Sequence, residues 1–252
     1  MTDLHPVTAA VTAVLGLASG PLVPWLIGRV PEPDPEPEPE ESDGQPEESD
    51  GQPEEPKELY ADIAGLPGLA VKAAVAGGLT AGLLGLVLGW SWALLVVLPL
   101  VPVSVALAVI DWRTRLLPRK IILPALAGSV VTIAASWALD GFEGGTDTVV
   151  RTLVGCAAAF LVFFVLWFIY PRGMGYGDVR LSALLGLVLG YLGWSEWLVG
   201  LYGGFLLGAV IGGVLALLKV VDRKGYPFGP FMLLGALIGV LAGQPLIDAL
   251  YS

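Results

Sequence analysis

The chain has one cysteine, Cys156, and one histidine, His5, among 252 residues. A single thiol excludes a disulfide framework and a cysteine-tetrad zinc site. A single imidazole near the N-terminus leaves nothing from which to build a histidine metal centre or a nucleophile-histidine-acid triad. No metal is expected at the functional site, and Cys156, lying inside an apolar run, reads as a small packing residue. Charge is scarce too: 14% of residues are charged and 55% hydrophobic, whereas a soluble domain has roughly 25% charged and 45–50% apolar residues. The formal net charge of −10 belongs to one stretch. Thirteen of the 23 acids fall between Glu32 and Glu58, where Lys57 is the one base, so the rest carries ten acids and twelve bases. That remainder offers no basic field to a nucleic acid.

What is present in abundance is long apolar sequence. A helix needs about 20 mostly apolar residues to cross the hydrocarbon core, and eight such runs occur, at 7–27, 69–90, 92–110, 121–139, 148–170, 179–194, 197–218 and from the end of Pro227-Phe-Gly-Pro230 to about 251. The first lacks a basic n-region and a small-residue cleavage site, so it reads as an anchor. Threading eight spans puts twelve of the thirteen bases on one side, including Arg29, Arg113, Arg115, Arg119, Lys120, Arg180 and Lys219, with Arg151 alone opposite. Lys and Arg are retained in cytoplasmic loops, which makes that side cytoplasmic and both termini extracytoplasmic. The expected fold is an all-α polytopic protein of the cytoplasmic (inner or plasma) membrane, with eight transmembrane helices and cytoplasmic catalytic loops. It divides into a first transmembrane helix (1–30), an acidic linker (31–60) and a seven-helix core (61–252). The linker alternates Pro and Glu and then repeats Glu-Ser-Asp-Gly-Gln-Pro-Glu at 41–47 and 48–54. Such sequence cannot bury a core and is expected to be disordered. It serves either as a plain spacer or as a field that attracts basic peptides to the cytoplasmic face. Glycines such as Gly186, Gly190, Gly204 and Gly208 are assigned to close helix packing.

Two acids stand out against this background. Asp178 ends the glycine-rich Gly173-Met-Gly175-Tyr176-Gly177-Asp178 between two apolar runs, and Asp111 follows an earlier run at the matching end. An aspartate at membrane depth costs roughly 2.5 kcal/mol or more at a helix centre, so it calls for a partner, water or a function. Taken singly, each has a bland reading. Asp178 would be an N-cap for the sixth span, and Asp111 a solvated acid paired with Arg113 or Arg115. Neither explains why both acids fall on one face. Two carboxylates about 3 Å apart cannot both ionise and share a proton. One then serves as general base on water while the other donates to a scissile carbonyl oxygen, which is aspartic-protease chemistry needing no cofactor. The glycines at 173, 175 and 177 are expected to let the backbone take positive φ and approach a peptide closely.

These residues resemble the type IV prepilin peptidases, a branch of the intramembrane aspartic proteases with a Gly-x-Gly-Asp motif. Gly175-Tyr176-Gly177-Asp178 with Val179-Arg180-Leu181 is similar to that family's second catalytic motif, and Ala108-Val-Ile-Asp111 with Leu117-Pro118 to its first. Pro227-Phe228-Gly229-Pro230 resembles its C-terminal segment, and Gly16 to Gly20 through Arg29-Val-Pro31 its first span and exit. The resemblance implies that Asp111 and Asp178 are the catalytic pair. It implies cleavage of the basic leader from type IV prepilins or type II secretion pseudopilins, just cytoplasmic of their hydrophobic N-terminal helix. S-adenosylmethionine enters only where the new terminus is also N-methylated. Many members carry a zinc-binding Cys domain after the first span; here the acidic linker takes its place without a cysteine. The competing readings are a proton-coupled transporter, which predicts charges at mid-span, and a non-catalytic pilus-assembly membrane protein, in which both acids are replaceable.

Overall fold

A computed structural model describes residues 4–32, 58–140, 145–171, 174–217 and 227–251, and every regular element among them is a helix. The acidic repeats, Arg172, Gly173, Lys219, Arg223 and Lys224 lie outside the described residues. The helices are α1 (Pro6–Ala18), α2 (Leu22–Gly28), α3 (Tyr60–Ala64), α4 (Leu69–Leu88), α5 (Trp92–Val97) and α6 (Leu100–Thr114). They continue with α7 (Arg119–Leu139), α8 (Gly145–Ile169), α9 (Tyr176–Leu192), α10 (Trp194–Leu217) and α11 (Gly229–Tyr251).

One of the expected spans is broken. Residues 7–27 form α1 and α2, bent by 42°. Pro21 supplies no N–H at the break, and the Ser19 hydroxyl donates to the Gly16 carbonyl at 2.7 Å, two features that bend helices. The run at 92–110 is α5 and α6 with a turn at Leu98-Pro99, and it continues through Thr114, so Asp111 is in the last turn of a helix rather than in a loop. Six helices among the described residues are long and apolar enough to cross a membrane, or seven when the bent pair is counted as one. The expected sixth span is the exception. At 17 residues, α9 has twelve buried positions, from Asp178 through Gly190. It packs against α7, α8, α10 and α11, so its apolar run faces protein on most sides.

Small residues set the closest contacts. Gly186 and Gly190 of α9 lie against Gly155 of α8, and Gly204 of α10 lies against Gly235 of α11, the close approach that glycine allows between membrane helices. Cys156 shares the α8–α9 contact, beside Gly186. Arg151, the base on the unexpected side, donates from Nε to the Gly190 carbonyl at 2.7 Å and from Nη2 to the Tyr191 carbonyl at 2.8 Å. It thereby satisfies carbonyls at the C-terminus of α9, where a cation is also favoured by the helix dipole. His5 packs on Gly89 and donates its backbone N–H to Leu86 at the C-terminal end of α4, away from the two acids.

Candidate active site

Asp111 and Asp178 are brought to one cavity of about 270 Å³, lined also by Tyr60, Arg115, Leu117, Pro118, Gly175, Tyr176, Gly177 and Arg180. Both carboxylates are buried, at 4% and 7% exposure. Three helix ends build the site: the C-terminal turn of α6 and the N-terminal turns of α9 and α11.

Asp111 does not pair with either neighbouring arginine. Its Oδ2 accepts the Gly229 N–H at 2.9 Å, across 118 positions of sequence. Gly229 is the first residue of α11, where N–H groups have no helical acceptor and the dipole favours an anion. A Cβ at Gly229 would lie 2.8 Å from that oxygen, so only glycine lets the helix end reach the acid. The rest of Pro227-Phe228-Gly229-Pro230 holds this arrangement in place. Pro230 sits in the first turn, where a missing N–H costs nothing. Phe228 packs on Phe205 and Phe163, with centroids at 5.6 and 6.2 Å. Arg113 instead binds Glu58, with Nη1 2.8 Å from Oε1.

Asp178 is the third residue of α9 rather than its N-cap. Its Oδ2 accepts the N–H of the N-cap Gly175 at 3.2 Å, the half of a capping box that the acid supplies. Its Oδ1 is buried with no hydrogen-bond partner, a state that costs about 1–3 kcal/mol. So one oxygen orders the turn and the other is left for chemistry. The positive-φ reading of the glycines is corrected for the two that are described. Gly175 has φ −73°, and among the described residues Gly68 and Gly89 are the glycines with positive φ. What demands glycine is contact: a Cβ at Gly177 would lie 2.6 Å from Leu117 Cβ and 3.2 Å from its carbonyl oxygen, whereas at Gly175 the nearest atom is 3.5 Å away. Gly177 is thus where the loop after Asp111 touches the helix carrying Asp178.

Of the other lining residues, Tyr60 carried no functional weight in the sequence, Arg115 entered only as a partner for Asp111, and Arg180 only as part of the second motif. Tyr60, the first residue of α3, is buried on the far side of the acidic stretch from Glu32, whose carboxylate accepts the N–H groups of Tyr60 and Ala61 at 2.9 and 3.0 Å. Burial, reinforced by Glu32 and opposed by the Thr114 hydroxyl, raises the Tyr60 phenol above its ordinary value, so it is a neutral O–H at pH 7. Arg180 lies over the Tyr176 ring, 4.5 Å from its centroid, with Trp167 on the same ring at 4.9 Å. Arg115 holds a left-handed conformation, φ 55°, that turns the chain out of α6. Two bases therefore line the same cavity as the two acids. Only the Arg-Tyr spacing at 176 and 180, one helical turn, was visible locally.

The Type IV leader peptidase family model matches residues 98–217, a segment that contains both acids. A prepilin leader peptidase/N-methyltransferase of Aeromonas salmonicida (strain A449) is 33% identical over 159 residues, covering 61% of this chain and 51% of the relative. One of Pseudomonas putida is 34% identical over 171 residues, covering 64% and 56%. One of Escherichia coli (strain K12) is 32% identical over 135 residues, covering 53% and 57%. The chain spans about half the length of the curated relatives it matches. No solved structure matches.

Proposed function

We propose that this chain, whose residues 98–217 match the Type IV leader peptidase family model, is an aspartic endopeptidase that removes the basic leader from prepilins or pseudopilins at the cytoplasmic face of the membrane. The observation that carries the reading is the convergence of Asp111 and Asp178, 67 positions apart by their numbers, in one cavity. With a single proton between them, one carboxylate takes a proton from water as the oxygen attacks the scissile carbonyl carbon. The other gives its proton to the carbonyl oxygen. Collapse of the tetrahedral diol breaks the C–N bond, and the amine leaves with the proton taken from water. Asp178 suits the general base, since its Oδ1 is unengaged. The proteolysis uses no cofactor. N-methylation, which the relatives' names include, would draw on S-adenosylmethionine.

The substrate's hydrophobic helix has a place to lie. A groove of about 240 Å³ runs between α4, α6, α9 and α11. Along α6 it is lined by Val101, Ser104 and Ala108, a spacing of three and four residues whose next member on that face is Asp111. Along α11 it begins at Pro230, the neighbour of Gly229. Along α9 it reaches Leu185, two turns beyond Asp178 on the same face. A helix seated there would deliver its cytoplasmic end to the acids. Ser104→Trp is expected to raise KM for a full-length prepilin by roughly tenfold, measured in proteoliposomes; an unchanged KM removes the groove from the reading.

In the eight-span arrangement we favour, α9 counts as a span, both termini are extracytoplasmic and the acidic stretch is cytoplasmic. Glu32 at one end binds the start of α3, and Glu58 at the other binds Arg113, which places both anchors beside the site. Deleting 33–56, with Glu32 and Glu58 kept, should slow processing of a basic-leader prepilin several-fold at low salt and have little effect at high salt, where charges are screened. Equal rates for the two proteins at low salt make the stretch a plain spacer. The function itself is tested by incubating the purified chain in bilayers with a panel of prepilins and identifying products by mass. Absence of cleavage at the leader boundary across the panel would overturn it.

A further inference from the structure

A second cleft lies outside the groove and the catalytic cavity. It encloses about 590 Å³ between α2, the α5–α6 pair and α7. At one end are Arg29 and Lys120; beyond them the walls are mostly apolar, including Leu100, Val103, Ile121 and Ala125, with the hydroxyls of Ser129 and Thr132 further along α7. No acid lines it. Arg29 lies over the Trp25 ring at 4.2 Å, and neither Arg29 nor Lys120 has an anionic partner among the described residues. The lining of α7 runs from Lys120 to Thr132, about 18 Å at the helical rise, close to the depth of one leaflet. A Cβ at Gly128 would meet nothing within 4 Å, so this glycine faces open space rather than a packed neighbour.

We propose that this cleft is a binding site for one anionic phospholipid, its phosphate held between Arg29 and Lys120 and one acyl chain lying along α7 over Gly128. Two cations without an anionic partner among the described residues, at one end of an inter-helical cleft, complement a negative headgroup. Arg presents a planar fork to phosphate and Lys a point charge on a flexible stem. The apolar walls below complement a chain, and the opening over Gly128 supplies the room. Because α7 starts directly after Pro118 and α2 leads to Glu32, such a lipid would bridge the two elements that flank the catalytic cavity. The site is independent of what the acids do.

The test is retention of lipid by the full chain in detergent, read by native mass spectrometry with phosphatidylglycerol or phosphatidylcholine of the same acyl chains. The wild type is expected to retain phosphatidylglycerol at least about tenfold better. Arg29→Ala with Lys120→Ala should abolish that preference, whereas Arg119→Ala, which removes one charge outside the cleft, should keep it. Gly128→Phe should lower retention of phosphatidylglycerol several-fold with both cations present, and an unchanged unfolding temperature in lipid-free detergent establishes that it folds. A preference that survives loss of both cations, or falls equally with Arg119→Ala, would overturn the site. So would undiminished retention by Gly128→Phe, or displacement of the lipid by glycerol phosphate at equal concentration.

Discussion

Asp111→Asn and Asp178→Asn are each expected to reduce the proposed leader removal by about 10³-fold or more, while the protein stays folded in the membrane. The loss is chemical because asparagine preserves the local structure. Its side-chain oxygen can still accept the Gly229 N–H in place of Asp111 Oδ2, or the Gly175 N–H in place of Asp178 Oδ2, the two bonds that tie the acids to α11 and to the start of α9. What asparagine cannot do is take or give a proton. The measurement is the mass of a co-expressed prepilin, with membrane abundance and unfolding temperature of each variant alongside. Substantial cleavage by either folded variant would end the two-acid mechanism and return the structural readings of these residues. A scaffold predicts intact assembly with both acids replaced.

Gly177→Ala is expected to cost about 10²-fold in kcat/KM, the size of penalty that an ångström-scale misplacement of catalytic groups brings. The added methyl group would sit 2.6 Å from Leu117 Cβ. Leu117 belongs to the loop that leaves α6 just after Asp111, so relieving the overlap moves one acid relative to the other. Local weakening of α9 cannot account for the loss, since alanine is a better helix former than glycine by about 1 kcal/mol. Gly175→Ala is the matched control: its nearest neighbour would be at 3.5 Å, an ordinary contact, and its activity should fall within a few-fold of wild type. Equal losses in the two variants would show that the contact with Leu117 does not set the distance between the acids.

The resemblance picked out both acids and the Pro-Phe-Gly-Pro segment, and the cavity contains or adjoins all of them, yet their roles were only partly legible. The segment at 227–230 entered on likeness alone; its part is to aim one backbone N–H at Asp111. The glycines were credited with unusual torsions, whereas Gly177 and Gly229 are needed for what they touch. Tyr60 was hidden at the edge of an acidic stretch with no local pattern to mark it. The run at 179–194 looked like any other span because hydropathy registers that a residue avoids water and is blind to whether lipid or protein replaces it.

Composition and spacing determined, without any coordinates, that this is a helical membrane protein with two acids at the junctions of its apolar runs and its excess negative charge confined to one stretch. Those properties are local: each is written in residues within a turn or a span of one another, where the cost of exposing hydrocarbon or burying charge acts directly. The tertiary structure decided which N–H steadies Asp111, why position 177 admits no side chain, and that α9 is enclosed by its neighbours. Each of these rests on contact between segments tens to more than a hundred residues apart, and such contacts follow from how whole helices pack, which no short window of sequence contains.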